Sequence, residues 1–97
     1  MAKIEKKQLE NLYAAILSLE DRAQCAAFLD DICTIQELEA LSQRFEVARL
    51  LHEGKNYVDI NKLTGASTAT ICRVSKCLTY GDGGYATVIQ NMEKKGD

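Results

Sequence analysis

The chain has 97 residues, 46% of them hydrophobic, with four cysteines, one histidine, no proline and a formal net charge of −2. That length makes one domain or one protomer, and it carries more apolar surface than a compact monomer this small readily hides, which points to dimerisation. The acidic balance excludes a binder relying on bulk positive charge, and apolar runs such as Tyr13–Leu17 are far too short for a signal-peptide core or a membrane span, so a cytoplasmic, reduced protein is expected.

Without proline, and with no glycine before Gly54, the first half contains no helix breaker, and an all-α fold follows. Three helices are predicted there. Leu9, Leu12, Tyr13, Ile16 and Leu17 lie on one face of the first. Cys25, Phe28, Leu29 and Ile32 follow the i, i+3, i+4, i+7 rule in the second, although Asp30 and Asp31 near its end oppose the helix dipole. The third opens on Thr34-Ile-Gln-Glu37, a capping box, and runs through Leu38, Leu41, Phe45 and Ala48 to Leu50 and Leu51, with an apolar arc wide enough for burial between neighbours. Gly54 ends it. Residues 1–53 therefore read as dimerisation helices, 57–78 as a helix-turn-helix and 85–94 as a C-terminal helix, all within a single helical domain, 1–97. The Gly81-Asp-Gly-Gly84 cluster is a turn or hinge before the last helix, which carries Val88, Ile89 and Met92.

Function is concentrated between Tyr57 and Leu78. Tyr57 or Val58, Ile60 and Leu63 form the apolar side of a short helix, Gly65 suits a tight turn, and Ser67 is a natural N-cap for the next helix. In that helix Ile71, Val74 and Leu78 must face inward, so Ala69, Cys72, Arg73 and Lys76 face outward, flanked by Thr68 and Thr70. From Lys55 to Tyr80 there are four basic residues (Lys55, Lys62, Arg73, Lys76) against one acid, Asp59, a local positive patch on an otherwise acidic chain. Short polar side chains at the start of the helix admit it to a major groove, where threonine offers a hydroxyl and a methyl to base edges. The cations further along meet phosphates, and the helix N-terminus adds free N–H groups. An ordinary helical hairpin with solvated polar faces is the competing reading of this pattern.

Cys33-Thr-Ile-Gln-Glu-Leu-Glu-Ala-Leu-Ser-Gln-Arg-Phe-Glu-Val-Ala-Arg-Leu-Leu51, then Gly54, Tyr57, Asp59-Ile60, the run Thr64 to Ile71, Arg73-Val74, Cys77-Leu78, Tyr80-Gly81 and Gly84-Tyr85, resembles the Trp repressor superfamily, in particular its YerC/YecD branch. The match spans about Phe28 to Ile89. It implies a Trp repressor-like multi-helical fold, an intertwined homodimer with two reading helices, and a sequence-specific, duplex DNA-binding transcriptional regulator, a repressor by that resemblance. It also implies DNA contacts at Thr68, Ala69, Thr70 and Cys72, which with Ser67, Arg73 and Lys76 complete the expected DNA-binding set. Two departures are visible. Asn61 occupies a position where a small residue usually lets the two helices pack closely, which is expected to loosen the motif. Cys72 stands where a hydroxyl residue is usual, which weakens any hydrogen bond made there.

The resemblance also maps an effector pocket onto Thr34, Arg44 and Arg73, the two arginines matching those that sandwich an indole. Val74 replaces the pocket glycine and Cys77 a serine, so tryptophan is not expected to bind, since overpacking costs about 1–3 kcal/mol. No cofactor and no metal are expected: the cysteines (Cys25, Cys33, Cys72, Cys77) lack C-x-x-C spacing and read as small buried hydrophobes. With one histidine and no phosphate-cradling loop, an enzyme is not expected either. The rival reading is a helical, dimeric protein-binding scaffold that does not bind DNA.

Overall fold

The computed structural model describes residues 4–95. They form six helices: α1 (Lys6–Leu17), α2 (Arg22–Ile32), α3 (Ile35–His52), α4 (Tyr57–Thr64), α5 (Thr68–Tyr80) and α6 (Gly84–Lys94). No strand occurs among the described residues. The chain divides into two compact units, Met1–Leu38 and Glu39–Asp97, with the boundary inside α3.

Local chemistry accounts for most of the helix starts. The predicted capping box is made: Thr34 Oγ1 accepts from the Glu37 N–H at 3.1 Å while Glu37 Oε1 accepts from the Thr34 N–H at 2.8 Å. Two further starts, which hydrophobic spacing alone does not mark, follow the same logic. Asp21 accepts from the Gln24 N–H at 2.8 Å, and the Gln24 side chain reaches back to the Glu20 N–H at 3.0 Å. Asn56 accepts from the Asp59 N–H at 2.9 Å and opens α4.

The core lies in the Glu39–Asp97 unit. Val47, Ala48 and Leu50 of α3, Ile60 of α4, Ala66 of the following turn, Ile71 and Val74 of α5 and Ile89 of α6 are buried, with Phe45, Leu51, Leu78 and Tyr85 packed around them. Each large member of this set contributes about 1.5–3 kcal/mol by leaving water. α5 lies against both α4 and α6, so it is held from two sides. The fully buried residues of α3 all lie in its second half. Leu41 remains 46% exposed and Ile35 lies open, contrary to the wide burial expected from its apolar arc, because a stripe is buried only where elements of its own unit meet it.

In the Met1–Leu38 unit no residue of α1 or α2 is buried. Tyr13 is 54% exposed and Leu17 84%, although both lie on the predicted apolar face. The cysteines depart from expectation too. All four are free thiols, Cys25, Cys33 and Cys72 half-buried and Cys77 exposed, because Cys77 falls off the Ile71, Val74, Leu78 stripe that faces the core.

Candidate nucleic-acid interface

Two short helices and a braced turn build the site. α4 contributes one buried residue, Ile60, while Val58, Leu63 and Tyr57 stay exposed. The predicted apolar side of this helix is thus narrower than expected, since eight residues offer little more than two turns for contact. Gly65 ends α4 in the left-handed region at φ 74°, where its N–H donates to the Asn61 carbonyl at 2.8 Å.

Four side-chain bonds then fix the turn. Thr64 Oγ1 donates to the Ile60 carbonyl at 2.7 Å and accepts from the Ala66 N–H at 3.1 Å. Gln43 Nε2, from α3, donates to the Thr64 carbonyl at 3.2 Å. Asn61 Nδ2 donates to the Ala66 carbonyl at 2.7 Å. This last bond corrects the expectation that Asn61 loosens the motif. Its amide crosses the turn and satisfies a carbonyl that α5 leaves free at its entrance. Sequence inspection missed Asn61 and Gln43 as site residues, because neither partner carbonyl is placed by residue spacing alone.

Ser67 caps α5 as predicted, accepting from the Thr70 N–H at 3.2 Å; its own hydroxyl donates to Thr70 Oγ1 at 3.2 Å. Ile71 and Val74 face the core, and the outward face follows from them. Ser67, Thr68, Ala69, Arg73 and Lys76 are exposed; Thr70 and Cys72 are half-buried at the edge of that face. Lys55 and Lys62 are exposed as well, so every cation of the local basic patch is open to solvent.

Arg44 of α3 and Arg73 of α5 line one cleft of about 260 Å³ with Thr70, Val74, Cys77 and Tyr85. Ligand pockets generally span about 300–1,000 Å³, so the cleft is small. Val74, 2% exposed, belongs to the core and also lines the cleft. Among the described residues neither arginine of the cleft forms an ion pair. Arg49, by contrast, is engaged by Glu46 at 2.8 Å and by Glu53 at 3.7 Å, and its pKa is raised, chiefly by the hydrogen bond to Glu46. Thr34 belongs to the Met1–Leu38 unit, where its hydroxyl serves the capping box. No cluster of side chains able to hold a metal ion occurs among the described residues, and no helix there is long and apolar enough to cross a membrane.

The chain is similar to known proteins over nearly its whole length. YerC of Bacillus subtilis, an uncharacterized protein, is 48% identical over 92 residues, covering 95% of this chain and 88% of its own. A Staphylococcus aureus protein, crystallised as a candidate Trp repressor, superposes with a TM-score of 0.88 at 42% identity, over 92% of this chain and 89% of that one. A TrpR-like protein from Eubacterium eligens gives a TM-score of 0.88 at 48% identity, over 92% of each chain. The family model for the Trp repressor protein matches residues 7–93, and with these relatives it establishes that the chain belongs to the Trp repressor family.

Proposed function

We propose that this protein is a homodimeric, sequence-specific duplex DNA-binding regulator, acting as a repressor, that inserts the N-terminal half of α5 into the major groove. The observation that carries the reading is the open face of α5. Thr68 and Ala69 are exposed at its first turn and Arg73 and Lys76 further along, on a helix anchored in the core by Ile71 and Val74. Thr68, Ala69, Thr70 and Cys72 are the residues assigned to base edges, Ser67 and the helix N-terminus to a phosphate, and Arg73 and Lys76 to the flanking backbone. Short side chains suit this role, since ordered water carries part of the sequence reading in many protein–DNA interfaces.

The homodimer is supported by the bare apolar surfaces of α1 and α2. In helix-turn-helix dimers, Trp repressor among them, two reading helices sit about 34–36 Å apart and enter successive major grooves. The proposed activity is binding and not catalysis, it requires no metal or cofactor, and it is placed in the cytoplasm. The cleft between Arg44 and Arg73, with Thr34 the third residue of the mapped effector pocket, is not a tryptophan site in this reading, because Val74 occupies the room an indole ring needs. Calorimetric titration with tryptophan is expected to give only heats of dilution.

The decisive experiment selects bound sequences from a random duplex library and measures the affinity of the winner against salt. Enrichment of a two-fold symmetric site, with affinity falling as salt rises, is the expected result. A stable dimer that retains no duplex at low salt would overturn the reading in favour of a protein-binding scaffold. The largely apolar groove lined by Phe45, Tyr85 and Val88 is where a scaffold would dock its partner.

A further inference from the structure

We infer that Asn61 is a positioning residue for DNA reading: its amide locks the exit direction of α5, so the reading surface is already set in the free protein. The inference rests on the function proposed above and adds to it a residue outside the reading face.

Among the bonds at the turn, most act within one short stretch. The Gly65 N–H to the Asn61 carbonyl closes α4, and the Thr64 hydroxyl links Ile60 to Ala66 through the helix end itself. Asn61 Nδ2 does something different. It starts on the body of α4 and ends, at 2.7 Å, on the carbonyl of Ala66, the residue immediately before the Ser67 cap of α5. Ala66 is itself buried, with 1% exposure, so the acceptor sits on a fixed point of the core. Gln43 Nε2 adds a strut from α3 to the Thr64 carbonyl. Together these bonds tie the residue before the α5 cap to the body of α4, and the end of α4 in turn to α3.

Geometry makes this matter for recognition. A helix rises 1.5 Å per residue, so a swing of about 10° at the turn displaces Lys76 by about 2 Å relative to Thr68. Direct hydrogen bonds tolerate only about 2.7–3.2 Å between heavy atoms. A turn that wavers by that angle still holds a positively charged helix near phosphates, because charge attraction falls off slowly, but it loses the base-edge contacts. Asn61 therefore governs discrimination between sequences more than total attraction.

The test uses the full chain and the duplex obtained by selection, compared with a scrambled duplex of the same length. Asn61→Leu keeps the approximate size and removes the donor. It is expected to lower the selected-over-scrambled affinity ratio about tenfold while leaving the salt slope and the helix content unchanged. Asn61→Gln, which keeps the amide on a longer arm, is expected to recover most of the ratio. In the free protein the Ala66 N–H donates to Thr64 Oγ1 within the same turn, so its exchange reports on the rigidity of the turn and is expected to quicken in Asn61→Leu. Should Asn61→Leu not fold, Asn61→Ala removes the same donor with a smaller side chain that suits a helix and is read in the same way. An unchanged ratio overturns the inference, and so does a ratio that falls only together with helix content. A wild-type protein that makes no distinction between the two duplexes overturns the function proposed above, while the exchange measurement still tests the lock.

Discussion

Thr70 and Lys76 lie on the same helix but are expected to contribute to DNA binding in different ways. Lys76 is exposed, and its long charged side chain is suited to a phosphate, which carries no sequence information. Lys76→Ala is expected to weaken all duplexes alike and to reduce the magnitude of the salt slope by about 0.9, the value for one phosphate neutralised on B-DNA. Thr70 is half-buried, and its Oγ1 accepts from Ser67, while the hydroxyl keeps a proton of its own to donate. Thr70→Ala is expected to change the ranking of selected sequences by about 1–3 kcal/mol at one position while leaving the salt slope alone. Binding isotherms at several salt concentrations separate the two, and equal effects on selected and random DNA would contradict these roles. At this scale the Ser67 cap was legible in the chain, since a serine before a helical stripe acts through the amide three residues on. Asn61 was not legible, because its acceptor lies five residues away across a turn whose shape only the folded chain defines.

The elements are set by punctuation as much as by hydrophobic spacing. Gly65 adopts φ 74°, and a Cβ added there would meet nothing within 4 Å, so the cost of a side chain is conformational and not steric. Gly65→Ala is therefore expected to cost about 1–2 kcal/mol, the penalty of a left-handed L-residue. Thermal unfolding followed by circular dichroism should show a midpoint lower by about 4–8 °C per kcal/mol for a chain of this size. Gly81 is needed for the opposite reason. It has an ordinary φ of −82°, but a Cβ there would run into the Cys77 carbonyl. Both glycines stood out in the chain as breaks after helices; which of them needed backbone freedom and which needed space is decided by local geometry. The starts of α2 and α4 show a similar limit. Asp21 and Asn56 are recognisable caps in retrospect, but the apolar stripe after Asp21 begins only at Cys25, three residues into α2, and neither stripe by itself marks a cap.

At the scale of the whole molecule, the contrast between the two units matters most. The Glu39–Asp97 unit has a core of its own, whereas α1 and α2 have no buried residue. Apolar stripes of that size are covered in a stable protein, and a second copy of the chain is the proposed cover. Ile16→Glu, on the exposed stripe of α1, is expected to shift the protein to monomer in sedimentation or light-scattering measurements. It is also expected to abolish the dependence of the melting midpoint on protein concentration that a dimer shows. An unchanged dimer in that variant would move the interface elsewhere.

Hydrophobic period, caps and helix breakers are properties of neighbours in the chain, so the six helices, the paired short helices with their glycine turn and the outward face of α5 could all be read without coordinates. Membership of the Trp repressor family was visible for the same reason, in an ordered series of short motifs. The tertiary structure alone decided which apolar stripes are covered, that the fully buried residues of α3 all lie in its second half, that Val74 lines the cleft between Arg44 and Arg73, and that Asn61 braces the turn. Burial and hydrogen bonding across a turn depend on which distant atoms come to share a volume, and a one-dimensional pattern does not specify that.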